Sequence, residues 1–144
     1  MIRPITEDDI PQLFELILDL AEDHRQQMWV TSCPENLISA YRNGKFGAII
    51  AIEEGVPIGY LSYTWNFSIW SGEEFMNLDD LYVVPDYRSK GIGEQLMKEA
   101  QRQCQLRNVK RMRWEVQTDN YKAIQFYQRL GATMYNKGIF RWTC

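Results

Sequence analysis

Apolar residues recur at two spacings along this chain, and the spacing separates the predicted helices from the predicted strands. After Thr6, apolar positions three and four residues apart predict an amphipathic first helix, and the acidic residues 7–9 suit its start. Residues 34–41 predict a second, short helix that ends near Gly44. Denser apolar runs between turn residues predict strands. These cover residues 1–5, 46–52, 58–65, 75–84 and 111–116, with closing strands at 134–135 and 139–143.

The second half of the chain carries two further helical patterns. An apolar face that begins at Ile92 and reaches Cys104 predicts a helix of about four turns. Asp119 or Asn120 can cap a last helix that runs through Leu130 and ends at Gly131. Residues 66–74 read as a loop. This order of elements predicts one α+β (mixed α/β) domain over residues 1–144, with a mixed sheet flanked by helices.

Composition narrows the class of protein further. The chain has 144 residues, of which 45% are hydrophobic and 24% charged, as expected of a folded globular domain. Its three cysteines (Cys33, Cys104 and Cys144) read as free thiols in a reducing cytosol, so we expect a cytoplasmic protein. With one histidine, His24, and no Cys-x-x-Cys pair, we expect no metal site. No apolar run is long enough to span a bilayer, so we expect no membrane partner.

Charge is distributed unevenly between the two halves. Residues 1–72 carry four basic and ten acidic residues, a balance of −6, and residues 73–144 carry twelve basic and nine acidic residues, a balance of +3. The asymmetry is compatible with ordinary surface variation. It is also compatible with an anionic ligand held by the second half and a cationic one near the first. A nucleic-acid partner is not expected, because the basic residues 102–113 span a helix end and a strand without a recognition-helix pattern.

The segment 81–96 combines a strand, a basic glycine loop and a helix start. The apolar run breaks at Pro85, and the loop contains Arg88, Lys90, Gly91 and Gly93. Unpaired amides at a helix start, glycines and basic side chains together suit a pyrophosphate. The alternative is that the glycines only permit a tight connection between strand and helix. The loop does not match the P-loop, and it lacks the third glycine of a dinucleotide fingerprint.

Two motifs resemble those of the GNAT N-acetyltransferases. Residues 88–93, Arg-Ser-Lys-Gly-Ile-Gly, resemble the family signature Arg/Gln-x-x-Gly-x-Gly/Ala that binds the pyrophosphate of acetyl-CoA. Residues 120–132 resemble the family helix Asn-x-x-Ala-x-x-Phe-Tyr-x-x-x-Gly-Ala, and residues 78–88 resemble the strand before the signature. Within the superfamily the chain is most similar to the diamine and small-amine acetyltransferases. The resemblance implies a GNAT-type domain with a mostly antiparallel central sheet.

The resemblance also implies how acetyl-CoA, as co-substrate, is held. The backbone of the strand before the loop pairs with the pantetheine amides, as an added strand would. The loop wraps the pyrophosphate, and two residues of the last helix line the pantetheine and the thiol end. The cofactor-binding residues implied in this way are Leu81, Tyr82, Val83, Arg88, Ser89, Lys90, Gly91, Ile92, Gly93, Glu94, Asn120 and Ala123.

Two residues match catalytic positions of the family. Tyr127 matches the tyrosine that protonates the departing sulfur, although a core position beside Phe126 is the alternative. Asp79 matches the acidic residue, usually glutamate, that contacts the amine or relays its proton through water. Strand alternation predicts that Asp79 and Leu81 share a face, with Asp80 on the other face in a structural role. The resemblance implies direct attack by the amine in a ternary complex, without an acyl-enzyme.

The amine itself is left open by the sequence. Substrate-binding candidates are Trp70, Asp79 and Glu115, with solvated acids and a packing tryptophan as the alternative. Residues 24–27 and 137–138 lack acids that the diamine enzymes carry, so a smaller amine, an amino acid, an aminoglycoside or a protein lysine all remain open. A non-catalytic CoA-binding or sensor domain is the alternative to an enzyme. The resemblance also leads us to expect a homodimer.

Overall fold

A computed structural model describes all residues, 1–144, and they form two compact units, Met1–Trp114 and Glu115–Cys144. The first unit holds strands β1 to β5 and helices α1 to α3, and the second holds helix α4. None of the helices combines the length and the hydropathy needed to cross a membrane. The strands are β1 Ile2–Pro4, β2 Gly47–Glu53, β3 Val56–Ser68, β4 Glu73–Val83 and β5 Met112–Arg113. The helices are α1 Ile10–Asp23, α2 Pro34–Arg42, α3 Ile92–Leu106 and α4 Tyr121–Arg129.

The five strands form one sheet in the order β1-β2-β3-β4-β5. The first four strands are antiparallel, and β5 pairs with β4 in parallel. The parallel ladder is short, since it joins only Met76 to Met112 and Asn77 to Arg113. The predicted mixed α/β class, with a mostly antiparallel sheet and flanking helices, is confirmed.

Each face of the sheet packs against a different helix. On the face that we call the α1 face, Ala48, Ile50 and Tyr60 form a core cluster with Ile10 and Leu13 of α1. The opposite face, the α3 face, carries Met76, whose sulfur lies 3.9 Å from the sulfur of Cys104 on α3. Burying one aliphatic core side chain contributes about 1.5–3 kcal/mol. The alternation of side chains along the strands therefore supplies two apolar layers from one sheet.

The entry to α1 is fixed by an ion pair rather than by a simple cap. The Asp9 carboxylate accepts two hydrogen bonds from Arg3, at 2.7 and 3.0 Å, and one from the Thr6 amide at 2.6 Å. These partners lower the pKa of Asp9 to about 2, with Arg3 the largest cause, although burial acts in the opposite direction. The contact joins β1 to the first turn of the helical region.

The β3–β4 hairpin extends further than the sequence suggests. Residues 66–74 were expected to form a loop, but the ladder continues to the pair Ser68 and Glu73 and leaves residues 69–72 as the turn. Arg107 contacts this extended part of the hairpin. It forms an ion pair with Glu74 at 2.7 Å and lies 4.6 Å from the ring centre of Trp65, so it supports both arms of the hairpin.

In the second unit, α4 ends as predicted but the closing strands are absent. The Ala132 amide donates to the Tyr127 carbonyl, and Gly131 adopts a φ of +95°, which only glycine accepts readily. Residues 133–144 form neither helix nor strand, so the prediction of strands at 134–135 and 139–143 is wrong. Alternation alone cannot specify a strand without a partner ladder, and Phe140 and Trp142 are fully exposed.

Candidate active site

A strained turn connects β4 to α3. A short 3-10 helix, Pro85–Tyr87, follows β4, and Gly91 is the N-cap of α3 with a φ of +81°. Ser89 also has a positive φ, +61°, which is uncommon for a residue with a side chain. Such conformations cluster at ligand sites, because a close approach to a ligand demands them.

The backbone amides of the turn have no hydrogen-bond acceptor within the protein. The amides of residues 89–94 donate to no carbonyl or side-chain oxygen of the protein, and the first intrahelical bond of α3 is Gln95 N–H to the Gly91 carbonyl. The positive end of the α3 dipole lies at the same place. A diphosphate is therefore an acceptor that fits these donors. A Cβ added to Gly91 would meet nothing closer than the side-chain nitrogen Nε2 of Gln95, at 3.9 Å. The backbone conformation, rather than a lack of space, therefore requires glycine there.

The basic side chains of the turn have partners within the protein. The Arg88 guanidinium donates to the Val83 carbonyl at 2.8 Å and to Asp23 at 3.0 Å, and it lies 5.7 Å from the ring centre of Tyr82. The Lys90 ammonium lies 5.0 Å from the ring centre of Tyr87. Arg88 therefore connects the turn to the end of α1, so the donors that remain for an anion are chiefly backbone amides.

One edge of β4 has no strand beside it near the turn. β5 pairs with β4 only at Met76 and Asn77, and the next residues of β4 pair only with β3 on their other side. Leu81, Tyr82 and Val83 lie in this stretch. An extended ligand that carries amide groups can add to such an edge by main-chain hydrogen bonds.

A β-bulge interrupts the regular alternation of β4 at the two adjacent acidic residues, Asp79 and Asp80. Leu78 faces Tyr63 and Asp80 faces Ser62, so Asp79 is the additional residue between them. The Asn77 side-chain amide donates to Asp79 at 3.0 Å. Asn77 lies opposite the α3 face, because its neighbour Met76 packs on α3. Asp79 therefore lies on the α1 face.

Asp80 lies on that same face. The Tyr60 hydroxyl donates to its Oδ2 at 3.2 Å and the Ser62 hydroxyl at 3.3 Å, and Tyr60 belongs to the α1 core cluster. The expectation that strand alternation sends Asp79 and Asp80 to opposite faces is wrong, because the bulge resets the alternation between them. Burial raises the pKa of the Asp80 carboxyl above its ordinary value, and the two hydroxyl donors oppose that shift.

An open cleft of about 500 Å³ adjoins the carboxyl end of β4. Three carboxylates from the last turns of α1 line it, together with the Tyr82 ring. Asp23 forms an ion pair with Arg88, and Arg25 also lines the cleft, so Asp19 and Glu22 are the carboxylates that remain for a cation. Its lining residues are Asp19, Glu22, Asp23, Arg25, Tyr82, Val84 and Pro85.

The predicted site residues of the first unit fall into one continuous stretch and one outlier. Asp79, Leu81 to Val83 and residues 88–94 follow one another along β4 and its turn. Trp70 lies in the hairpin turn before β4 and is fully exposed. The two ends of the eleven-residue strand are roughly 30 Å apart at about 3.3 Å per residue. The structure therefore does not bring Trp70 to the glycine turn.

The second unit carries four other predicted residues. The Asn120 side chain accepts a hydrogen bond from the Ala123 amide at 3.3 Å and so caps α4, as one of the two sequence alternatives predicts. Tyr127 is half-buried beside Phe126, with ring centres 5.3 Å apart, and burial raises the pKa of its phenol. Glu115 is exposed.

Sequence reasoning missed the bulge and the hydroxyls that hold Asp80. The sequence signal for both features is the pair of consecutive acids in an otherwise apolar strand. Regular alternation would place one of them on a core face, where a carboxylate needs hydrogen-bond donors.

Solved structures show which class of fold this is. An aminoglycoside acetyltransferase from an uncultured soil metagenomic sample superposes with a TM-score of 0.87 over 100% of this chain and 95% of its own, at 17% identity. An aminoglycoside N-acetyltransferase solved in complex with CoA gives a TM-score of 0.78 over 100% of both chains, at 22% identity. The fold is that of the acetyltransferases.

Sequence comparison identifies the family itself. The model of the acetyltransferase (GNAT) family matches residues 10–132. A thialysine N-epsilon-acetyltransferase of Bos taurus is 31% identical over 92% of this chain and 83% of its own length. The enzyme of that name from Caenorhabditis elegans is 28% identical over 88% of this chain and 78% of its own. The chain belongs to the acetyltransferase (GNAT) family and is an N-acetyltransferase.

Proposed function

We propose that this enzyme transfers an acetyl group from acetyl-CoA to a primary amine of a small molecule, by direct attack in a ternary complex. One observation carries the proposal: the amides of residues 89–94, which donate to no acceptor of the protein, follow an edge of β4 that has no strand beside it. That combination suits a ligand with a diphosphate at one end and amides along its length.

The residues of this chain have separable tasks toward that ligand. The amides from Ser89 to Glu94 hold the diphosphate, and the backbone of Leu81 to Val83 pairs with the pantetheine amides. An amide of that stretch also polarises the acetyl carbonyl. Acetyl-CoA supplies an activated acyl group as a thioester. Asn120 and Ala123 are proposed to line its thiol end on the basis of the resemblance alone.

Tyr127 is proposed as the group that gives a proton to the departing sulfur. Burial raises the pKa of its phenol, so the proton is held at neutral pH and is available for donation. Asp79 is proposed to contact the amine or to relay its proton through water. Asp79 lies on the α1 face, within the bulge of β4. The edge of this same strand is the one proposed to hold the acyl group.

The amine is proposed to be a compact molecule such as an amino acid, a diamine or a related amine. Asp19 and Glu22 line the cleft at the carboxyl end of β4, which favours a cationic acceptor. The relatives named for thialysine support an amino-acid-like amine. Glu115 is proposed as a substrate contact and is exposed. Trp70 is not, because it lies at the opposite end of β4 from this cleft.

An amine panel tests the proposal most broadly. The purified protein is incubated with acetyl-CoA and with diamines, basic amino acids, thialysine, aminoglycosides or a lysine peptide, while thiol release and product mass are measured. Thiol release with a mass gain of one acetyl group on a small amine is the expected result. Binding of acetyl-CoA without turnover of any amine would contradict the proposal and favour a CoA-binding sensor.

The oligomeric state and the cellular location of the protein are also proposals. We propose a homodimer, for which light scattering coupled to size exclusion gives the mass directly. A cytoplasmic location is proposed from the three free thiols.

A further inference from the structure

Asp80 is held in β4 by two neutral hydroxyl donors. Both hydroxyl hydrogen bonds, from Tyr60 and Ser62, reach the same oxygen, Oδ2. The other oxygen, Oδ1, accepts no hydrogen bond from the protein, and no side-chain oxygen of the protein is both buried and unsatisfied. The two hydrogen bonds to Oδ2 therefore fix the orientation of the carboxylate, and Oδ1 is accessible to solvent.

No cationic side chain of the protein lies within ion-pair distance of Asp80. The ionisable groups that act on it are Tyr60 from β3, which donates to Oδ2, and His24 after α1, whose charge favours the carboxylate. On β4, Asp79 and Tyr82 lie on the same α1 face. Of these, only His24 can carry a positive charge, and it forms no ion pair with Asp80. A largely buried carboxylate without a cation is unfavourable, and a cationic ligand or a proton relieves the cost.

The neighbouring carboxylate, that of Asp79, differs in its exposure and in its hydrogen-bond donor. Asp79 is exposed and accepts a hydrogen bond from the Asn77 amide. The bulge brings these two different carboxylates to one face of the strand. Pairs of acids whose surroundings differ in this way divide acid–base work between them.

Resting on the proposed function, we propose that Asp80 is the catalytic base, which takes the proton of the acceptor ammonium through Oδ1, while Asp79 holds the ammonium in place. One N–H bond of the ammonium breaks and an O–H bond forms on Asp80, so a neutral amine and a neutral carboxyl result. The freed nitrogen lone pair then attacks the thioester carbon. Tyr60 and Ser62 are positioning residues, because they hold Oδ2 and leave Oδ1 toward the amine.

The test compares Asp80→Asn with its matched neighbour Asp79→Asn in kcat/KM from pH 6 to 10. Asp80→Asn is expected to lose about 10²–10⁴-fold at pH 7. As the pH is raised, kcat/KM of Asp80→Asn should increase about tenfold per pH unit. It should approach the wild-type value near the amine's own pKa of about 10, where free amine is abundant. Asp79→Asn is expected to raise the KM for the amine and to keep the acidic limb of the wild-type profile.

Ser62→Ala supplies a second variant that retains the carboxylate. Removing a donor to Oδ2 raises the pKa of Asp80 further, so the acidic limb should move to higher pH. A structural role for Asp80 would not move that limb. If Asp80→Asn does not fold, an unshifted limb in Ser62→Ala alone overturns the inference.

Two failures can be told apart. A wild-type protein that turns over no amine overturns the proposed function and this inference together. An active wild type whose Asp80→Asn variant stays within threefold at pH 7, or loses the same factor at every pH, overturns the inference alone.

Discussion

At the scale of single residues, Tyr127 combines a half-buried ring with a phenol whose pKa is raised by that burial. Tyr127→Phe keeps the ring and removes the proton. We expect kcat to fall about 10²–10⁴-fold, because the leaving thiolate loses its donor. Steady-state thiol release checks this, and acetyl-CoA affinity by calorimetry is the control that should stay unchanged. A kcat within threefold of the wild type would exclude Tyr127 as the acid.

Asp9 carries a prediction about stability in acid. Its pKa is lowered to about 2 in the folded protein, below the value of roughly 3.9 in an unfolded chain. Its contribution is therefore fully present above pH 4 and is lost as the pH falls toward 2. We expect wild-type protein to lose about 2 kcal/mol of unfolding free energy over this interval from Asp9 alone.

Urea unfolding between pH 2 and 6 measures the Asp9 contribution directly. Asp9→Asn should be less stable than the wild type at pH 6, and the difference should shrink toward pH 2. A difference that stays constant with pH would show that the ion pair with Arg3 does not stabilise the fold.

The residue scale also shows what could be read from the sequence. Asn120 as a cap and Gly131 as a helix end follow from local chemistry, which the chain carries within a few residues. The face of Asp79 could not be predicted, because it depends on a bulge in the pairing of β4 with β3. Ladder register is set between strands and leaves no local signature.

At the scale of elements, the turn before α3 has the clearest test. Gly91→Ala should cost about 1 kcal/mol of strain at a φ of +81°. Acetyl-CoA binding should also weaken roughly tenfold, or about 1.4 kcal/mol, because a turn that relaxes away from this φ to relieve the strain no longer aims its amides at the diphosphate. Calorimetry measures the affinity, and urea unfolding measures the stability.

Gly55→Ala is the matched control for this substitution. Gly55 has a φ of +78° in the turn between β2 and β3, and nothing lies within 4 Å of an added Cβ. We expect the same loss of stability without a change in acetyl-CoA affinity. Equal losses of affinity in both variants would show that the α3 turn has no special part in binding.

The predicted elements differ in how well periodicity specified them. Helices α1, α2, α3 and α4 were found close to their predicted limits, because each carries an amphipathic pattern and terminal signals of its own. The β3–β4 hairpin was predicted too short. Its outer part is contacted by Arg107, more than 30 residues beyond Glu74 in sequence, and a local sequence pattern cannot reveal such a contact.

At the scale of the whole molecule, family motifs and element order predicted the mixed sheet and its helices correctly. The strands predicted beyond residue 133 were not found. The charge asymmetry has a partial structural counterpart, since Asp19, Glu22 and Asp23 of the acidic half line the cleft beside β4. The basic half contributes backbone amides at the turn, while Arg88 is occupied by Asp23.

The central claim is that the amides entering α3 hold a diphosphate. Amide proton–nitrogen NMR spectra of the labelled protein, recorded during titration with CoA, test it most directly. The account predicts large downfield shifts for Gly91, Ile92 and Gly93, with smaller changes at the β2–β3 turn around Gly55. Saturable CoA binding that leaves those three amides unshifted would contradict it.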